Sequence, residues 1–268
     1  MAFFDPSRPH VFAHRGGCDL GPENTIAAFD LGLAAGADGL ELDVHVSSDG
    51  VVVVHHDRTL DRTTDASGPI ASRTADELAR VDAGFRFARG DAFPFRGLGL
   101  GVPRLAAVLS RYRGTPTIIE IKVYTQEVGE MVAREIRRAD AADFVCVAGF
   151  GIASARAARA ALPGVAASAC KAEVRLALYR SWVRWPVRRA PYHTYQVPER
   201  AEEGTRIVTP RFIRDAHGAG LKVQVWTVDD EADMRRLLAW GVDGLITNRP
   251  DLAARVRDEH IGAFAIHE

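Results

Sequence analysis

The feature that most constrains this chain is an alternation. Eight short β-like runs are separated by stretches with helical periodicity. The β-like runs are 11–13, 39–44, 117–121, 144–148, 165–168, 194–197, 223–227 and 244–247. Most are apolar and β-branched without strict alternation, the pattern of strands covered on both faces. The helical stretches are 22–35, 104–112, 125–138, 154–162, 210–219 and 230–240, bounded by Ser, Thr, Asp, Pro or Gly. Eight strands with intervening helices in a chain of 268 residues predict an α/β fold, a (β/α)8 TIM barrel forming one domain over 1–268. The rival is an open doubly wound sheet. The barrel is preferred because chemistry-bearing residues fall at the C-terminal ends of several strands, where such barrels build their sites.

One segment breaks the alternation. The run 39–44 is followed by a second β run, 51–57, with no room for a helix between them. Asp49-Gly50 is a two-residue hairpin signal. It predicts an antiparallel hairpin at the barrel mouth that places Asp43 opposite His56. Residues 58–101 follow, rich in Gly, Thr, Arg and Asp, with a helix-like stretch at 74–81. They read as a small insertion over the C-terminal mouth.

Composition narrows the partners. With 34 basic and 35 acidic residues the net charge is -1, so no global field exists to grip nucleic acid or an anionic membrane. The expectation is a small-molecule substrate and no nucleic acid. The longest uncharged stretch is the 12 residues 144–155, short of the roughly 20 a membrane-spanning helix needs. Residues 1–10 carry no apolar signal-peptide core. Cys18, Cys146 and Cys170 show no disulfide or metal spacing, which suits a reducing, cytoplasmic setting. Segment 171–190 holds six Lys/Arg against one Glu, with Leu178, Tyr179, Trp182 and Trp185 interleaved. It reads either as a peripheral membrane contact or as a solvated helix interrupted by Pro186. Nothing in the residue pattern assigns an oligomeric state.

Four clusters carry chemistry. His14-Arg15-Gly16-Gly17 follows the first strand. It supplies an acid/base imidazole, a guanidinium fork for phosphate or carboxylate, and backbone that a ligand can approach; it also reads as a surface turn. Glu41 and Asp43 are two apart on a strand, so both carboxylates share one face while Leu40, Leu42 and Val44 take the other. Two inward carboxylates call for a cation, and oxygen ligands favour Mg²⁺ or Ca²⁺ over zinc; a salt-bridged pair is the alternative. His45 shares their parity, but its height suits an outer role or exposure. Glu120 and Lys122 share a face at the end of 117–121. Glu120 can complete a three-carboxylate site. Lys122 is one of only three lysines in an arginine-rich chain, and its compact ammonium can meet a phosphate oxygen. In His55-His56-Asp57, neighbouring side chains face opposite ways, and the hairpin register selects His56, with His55 packed or exposed. Trp226, near a strand end, walls the pocket or fills the core. Thr247-Asn248 ends the last strand at the mouth.

Taken in order, these pieces resemble the glycerophosphodiester phosphodiesterase family. The resemblance runs through His14-Arg15-Gly16, Pro22-Glu23-Asn24-Thr25, Glu41-Leu42-Asp43-Val44, Val53-Val54-His55-His56-Asp57, Thr59-Leu60-Asp61-Arg62-Thr63-Thr64, Glu120-Ile121-Lys122, Val225-Trp226-Thr227-Val228 and the stretch 241–250. It implies a barrel with an insertion after the second His. It also implies hydrolysis of a glycerophosphodiester to glycerol 3-phosphate and an alcohol. By position, His14 and His56 match the family's acid/base pair. Glu41, Asp43 and Glu120 match its ligands for a divalent cation, and Arg15 and Lys122 match its phosphate contacts. The nucleophile is water or the substrate's own 2-hydroxyl. The helix 104–109 lacks a frequent acidic residue, and Asn248 stands where Asp is more usual. Two alternatives are a lysophospholipase D acting on lysolipids at a membrane surface and a non-enzymatic binding barrel.

Overall fold

The computed structural model describes residues 3–4, 8–182, 185 and 189–265. β1 (His10–Ala13) leads through a 3-10 turn at His14–Gly16 to α1 (Ile26–Ala34). β2 (Gly39–Val46) and β3 (Val52–Val54) form the hairpin. The insertion follows, with its single turn α2 (Ala75–Leu78), and then α3 (Leu105–Arg111). Strands and helices alternate from there: β4 (Thr117–Ile121), α4 (Gln126–Arg138), β5 (Val145–Ala148), α5 (Ile152–Ala161), β6 (Ala166–Ala167) and α6 (Lys171–Trp182). The rest are β7 (Thr194–Pro198), α7 (Pro210–Gly218), β8 (Lys222–Trp226), α8 (Glu231–Trp240), β9 (Gly244–Thr247) and α9 (Pro250–Ala265).

Helices begin where the sequence offers caps. Thr25, Thr125 and Thr209 accept from the backbone N–H of Ala28, Val128 and Phe212, and Asp230 accepts from Ala232 and Asp233. The first helix therefore starts at Ile26, and residues 22–25 form its capping turn, with the Thr25 hydroxyl donating to the Pro22 carbonyl at 2.7 Å. α9 lies outside the stretches read as helical from sequence. Its buried face includes Ala253, Ala254 and Val256, which leaves a faint apolar period.

Eight strands run parallel in the order β6-β5-β4-β2-β1-β9-β8-β7. A parallel bridge between Ser168 and Thr194 brings β6 to β7. Ala169 N–H donates to Thr194 and His193 N–H to Ala167 across that seam. The result is a (β/α)8 barrel, not an open sheet.

Strand parity sorts the side chains. Val11, Leu40, Leu42, Ile119, Val223 and Leu245 point outward into the layer under the helices. Phe12, Ile118, Cys146, Ala166 and Ile246 point inward and pack together, with Phe3 stacked on Phe12 at 5.6 Å. On β1, β2, β4 and β8 the next inward residues toward the C-terminal end are His14, Asp43, Glu120 and Trp226. The polar site is thus one layer above an apolar plug.

The hairpin register differs from the sequence expectation. Val44 pairs with Val54 and Val46 with Val52. Asp43 therefore lies opposite His55, whose N–H donates to the Asp43 carbonyl at 2.9 Å, and not opposite His56. The connection is a three-residue loop. Gly50 N–H donates to Ser47 O, Ser47 N–H donates to Val51 O, and Gly50 adopts a φ of 75°. The Ser47 hydroxyl, donating to Asp49 and accepting from Val51 N–H, fixes that longer loop. His56 enters the mouth because β3 ends at Val54 and the chain then bends.

The insertion has its own small core. Leu60, Ile70, Ala75, Leu78, Val81 and Val102 pack against Val53 of the hairpin. Of the helix-like stretch 74–81 only one turn forms, started by a reciprocal cap between Thr74 and Glu77. In segment 171–190 the helix runs to Trp182, and positions 183–184 and 186–188, including the Pro186 break, lie outside the described residues.

Candidate active site

A cavity of about 830 Å³ opens at the C-terminal mouth and is lined by His14, Arg15, Glu41, His56, Glu120, Lys122 and Trp226. Asp43, 1% exposed, lies behind them and bonds to several. The structure thus brings all eight residues singled out from sequence to one place.

The turn after β1 is shaped for close approach. Arg15 adopts φ 52°, and Gly16 adopts φ 91° where a Cβ would meet the Ala28 backbone at 2.8 Å. This conformation aims Arg15 N–H at Glu41 Oε2, 3.0 Å away. Asn24, also at positive φ, accepts a hydrogen bond from Asp43 N–H, and its Nδ2 donates to Asp43 Oδ2 at 2.9 Å. Within Pro22-Glu23-Asn24-Thr25 the role of Asn24 is not legible from sequence, because its partner is 19 residues away; the one local signal is an Asn, a residue that tolerates left-handed backbone, just before the helix cap Thr25.

Glu41, Asp43 and Glu120 offer oxygens that all lie within 4.8 Å of one another. Oxygens sharing one Ca²⁺ at about 2.3–2.6 Å fall within about 5 Å of each other, so the donor set fits a hard divalent cation. The electrostatics fit as well. Burial, then Asp43 and Glu120, push the Glu41 carboxyl well above its ordinary value. Burial and Asp43 likewise raise Glu120. Burial opposes the Asp43 charge, but Lys122, His56 and Arg15 outweigh it and hold its carboxyl low. Lys122 Nζ is 2.8 Å from Glu120 and 3.0 Å from Asp43 Oδ1. That approach is off the line of a hydrogen bond, and Asp43 Oδ1 and Arg15 Nε are both buried without a hydrogen-bond partner. Each keeps only an ion-pair contact, Asp43 Oδ1 with Lys122 and Arg15 Nε with Asp43 Oδ2 at 3.5 Å, so both have capacity for a ligand or ion.

The two histidines are held differently. His14 Nδ1 is 2.6 Å from Asn248 Oδ1, and its Nε2 faces Glu41 at 3.9 Å. Burial, then Arg15, lowers the His14 pKa, which favours the neutral ring. His56 Nδ1 is 2.6 Å from Asp57, which also accepts from Arg62 Nε at 2.6 Å. His45 is buried, contrary to the outer or exposed role expected from its height, and its Nε2 lies 3.0 Å from the His56 carbonyl. The returning strand covers it, with Val53 paired beside His45 and the His56 carbonyl on its ring. His55 is packed, with Nε2 3.2 Å from Thr59 O. Trp226 meets Phe150 edge-on at 6.0 Å along the cavity wall. Asn248, named from sequence only as a mouth residue, is gripped by Asp229.

Fold and cavity together define a class, the (β/α)8-barrel enzymes that work at the C-terminal mouth. Comparison with known proteins narrows it. The chain belongs to the glycerophosphoryl diester phosphodiesterase family, which matches residues 14–252, and is accordingly a phosphoric diester hydrolase. It is 30% identical over 246 residues to a glycerophosphodiester phosphodiesterase of Caldanaerobacter subterraneus subsp. tengcongensis, covering 90% of this chain and 94% of that protein. A solved glycerophosphodiester phosphodiesterase from Agrobacterium tumefaciens superposes with a TM-score of 0.75 at 30% identity, covering 92% of this chain and 99% of the other. An Oleispira antarctica phosphodiesterase, solved with its product sn-glycerol-3-phosphate, shares the fold with a TM-score of 0.72 at 24% identity, over 94% and 97% of the two chains.

Proposed function

We propose that this enzyme hydrolyses glycerophosphodiesters to glycerol 3-phosphate and an alcohol. In this reading His14 and His56 are the acid/base pair, and Arg15 and Lys122 hold the phosphate. Glu41, Asp43 and Glu120 hold Mg²⁺ or Ca²⁺, and Trp226 walls the substrate. The observation that carries it is the meeting of two imidazoles from different strands over a triad of carboxylates in one cavity. The bound cation would supply Lewis-acid stabilisation of the charge developing on phosphorus oxygens.

The residues divide the remaining work. His14, neutral by burial and with Nε2 toward the cavity, takes the proton of the nucleophile. His56 is backed at Nδ1 by the Asp57 carboxylate, which suits giving a proton to the leaving oxygen. Arg15 offers its Nε, which makes no hydrogen bond and faces Asp43 Oδ2 at 3.5 Å, and the Lys122 ammonium, held between Glu120 and Asp43, has further N–H groups for a phosphate oxygen. Three unpaired thiols support a reducing, cytoplasmic setting. No helix among the described residues is long and apolar enough to cross a membrane.

The test is release of glycerol 3-phosphate from glycerophosphocholine, with EDTA, Mg²⁺ and Ca²⁺ arms and His14→Ala as control. Metal-dependent release, reduced about 10²–10⁴-fold in His14→Ala, is expected. A folded protein with no release from any glycerophosphodiester under any arm would overturn the proposal in favour of a binding barrel.

One observation favours a second reading, in which the substrate carries an acyl chain. Val174 and Leu178 of α6, with Val197, Pro198 and Ile207, give the cavity an apolar arm rimmed by Lys171, Arg175 and Arg200. Elsewhere on α6 and just past it, Leu176, Tyr179 and Trp185 are 51%, 59% and 65% exposed, outside the cavity lining, as an interfacial surface requires. For monoacyl glycerophosphocholines below micellar concentration, kcat/KM should rise with chain length, by up to about 0.8 kcal/mol per buried methylene. Leu178→Arg should abolish the rise. Rates that ignore chain length would sink this reading and leave the first intact.

A further inference from the structure

The hydrogen bonds behind His14 have a direction. Asp229 Oδ1 accepts from the backbone N–H of Asn248 at 2.8 Å and from the Thr247 hydroxyl at 2.9 Å. Its Oδ2 is 2.8 Å from Asn248 Nδ2. A carboxylate only accepts, so the Asn248 group facing it must be the NH₂. Asn248 Oδ1 is then turned the other way, 2.6 Å from His14 Nδ1. An amide oxygen only accepts, so His14 carries its proton on Nδ1. Cys18 is compatible with this orientation: its Sγ is 2.8 Å from Asn248 Oδ1, and burial, with Glu23 next, pushes the thiol up to about 12, so an S–H is there to donate.

We infer that Asp229 is a positioning residue that acts through Asn248 to fix the His14 tautomer with its lone pair on Nε2, toward the cavity. Asp229 lies 19 residues before Asn248 and has no place in the cavity lining. It reaches His14 through Asn248, which it holds at both the backbone N–H and the side-chain amide. The consequence rests on the reading of His14 as the proton-accepting base. With the amide reversed, Asn248 would offer NH₂ to Nδ1, the proton would move to Nε2, and no lone pair would face the nucleophile.

The test exchanges polarity without changing shape. In Asp229→Asn the new amide at position 229 can keep its oxygen on the Thr247 hydroxyl and the Asn248 N–H, which leaves an NH₂ facing Asn248. The Asn248 amide must then turn over. The double variant Asp229→Asn/Asn248→Asp restores an acceptor to His14 with the net charge conserved. Nitrogen NMR on ¹⁵N-histidine-labelled, EDTA-treated protein, assigned with His14→Gln, reads the tautomer directly. Proton on Nδ1 is expected in the unsubstituted protein, on Nε2 in Asp229→Asn, and again on Nδ1 in the double variant. In steady-state assays kcat should fall about 10²–10⁴-fold in the single variant with KM changed little, and recover in the double; a histidine tautomer set wrongly costs serine proteases about 10⁴. A proton on Nε2 in the unsubstituted protein, or on Nδ1 in Asp229→Asn, overturns the inference, and the first of these needs no variant to fold. Tautomers that switch as expected while kcat stays constant leave the relay standing and overturn the assignment of His14 as base.

Discussion

Glu23 ties the two histidine arms of the site together. Its carboxylate accepts from Arg15 Nη1 at 3.1 Å and from both terminal nitrogens of Arg62 at 2.7 Å. Arg62 in turn holds Asp57, the partner of His56. Burial works against the Glu23 charge, but the bonds from Arg62 and Arg15 outweigh it and hold its carboxyl below the ordinary 4.5. A depressed folded-state value means that the stabilisation is present above pH 4.5 and is lost as pH falls through the folded value. Glu23→Gln should therefore destabilise the protein at pH 7 by about 1–3 kcal/mol, toward the lower end because Arg62 is about half exposed. Urea unfolding of both proteins at pH 7 and near pH 3.5 checks this, with the gap narrowing at the lower pH. Equal gaps at both would show that Glu23 acts by packing alone.

Among elements, α4 and α5 show packing overriding intrinsic preference. A Cβ on Gly129 of α4 would sit 2.3 Å from the Ser154 carbonyl of α5, so the two helices touch backbone to backbone. Gly218 of α7 faces open space. Helix propensity alone predicts a gain of about 1 kcal/mol for Gly→Ala at an interior position such as Gly129, and a smaller gain of the same sign at Gly218, the last residue of α7. Gly218→Ala should raise Tm, whereas Gly129→Ala should lower it by an amount typical of overpacking, about 1–3 kcal/mol. Calorimetry of the two variants decides, and the same sign for both would refute the steric account. α6 belongs to this scale too. Lys171, Val174, Arg175 and Leu178 recur at one helical face and line the cavity, while Leu176 and Tyr179 look away from it.

At the scale of the molecule, barrel closure is uneven. β2 and β4 share five paired residues, from Leu40–Thr117 to Val44–Ile121. β6 is two residues long and reaches β7 through one bridge and its flanking hydrogen bonds. A ring opens first where fewest bonds and least apolar contact hold it. Amide exchange at Ala169 and His193 should be fast compared with the β2–β4 ladder. Protection at that seam equal to the ladder's would show closure to be cooperative around the whole ring. This seam lies between the elements bearing α6 and the apolar arm of the cavity, so motion there would alter the width of the mouth.

Strand periodicity determined much of this protein before any coordinates. The alternation of β and helical stretches carried the barrel. A spacing of two on a strand carried the inward parity of Glu41 with Asp43 and of Glu120 with Lys122, because side-chain direction on a strand is a local, backbone property. Strand ends likewise carried His14 and Trp226 to the mouth. What the tertiary structure decided depends on contacts between distant residues. The hairpin register turned on one hydroxyl, that of Ser47, bonding within its own loop. Asn24 reached Asp43, and Arg62 joined Glu23 to Asp57, only once the chain had folded back. The direction of the amide behind His14, and with it the nitrogen that bears the proton, came from Asp229 across a gap of 19 residues. Periodicity places a side chain on a face; which atom of it meets which partner is set by packing between elements that are remote in sequence.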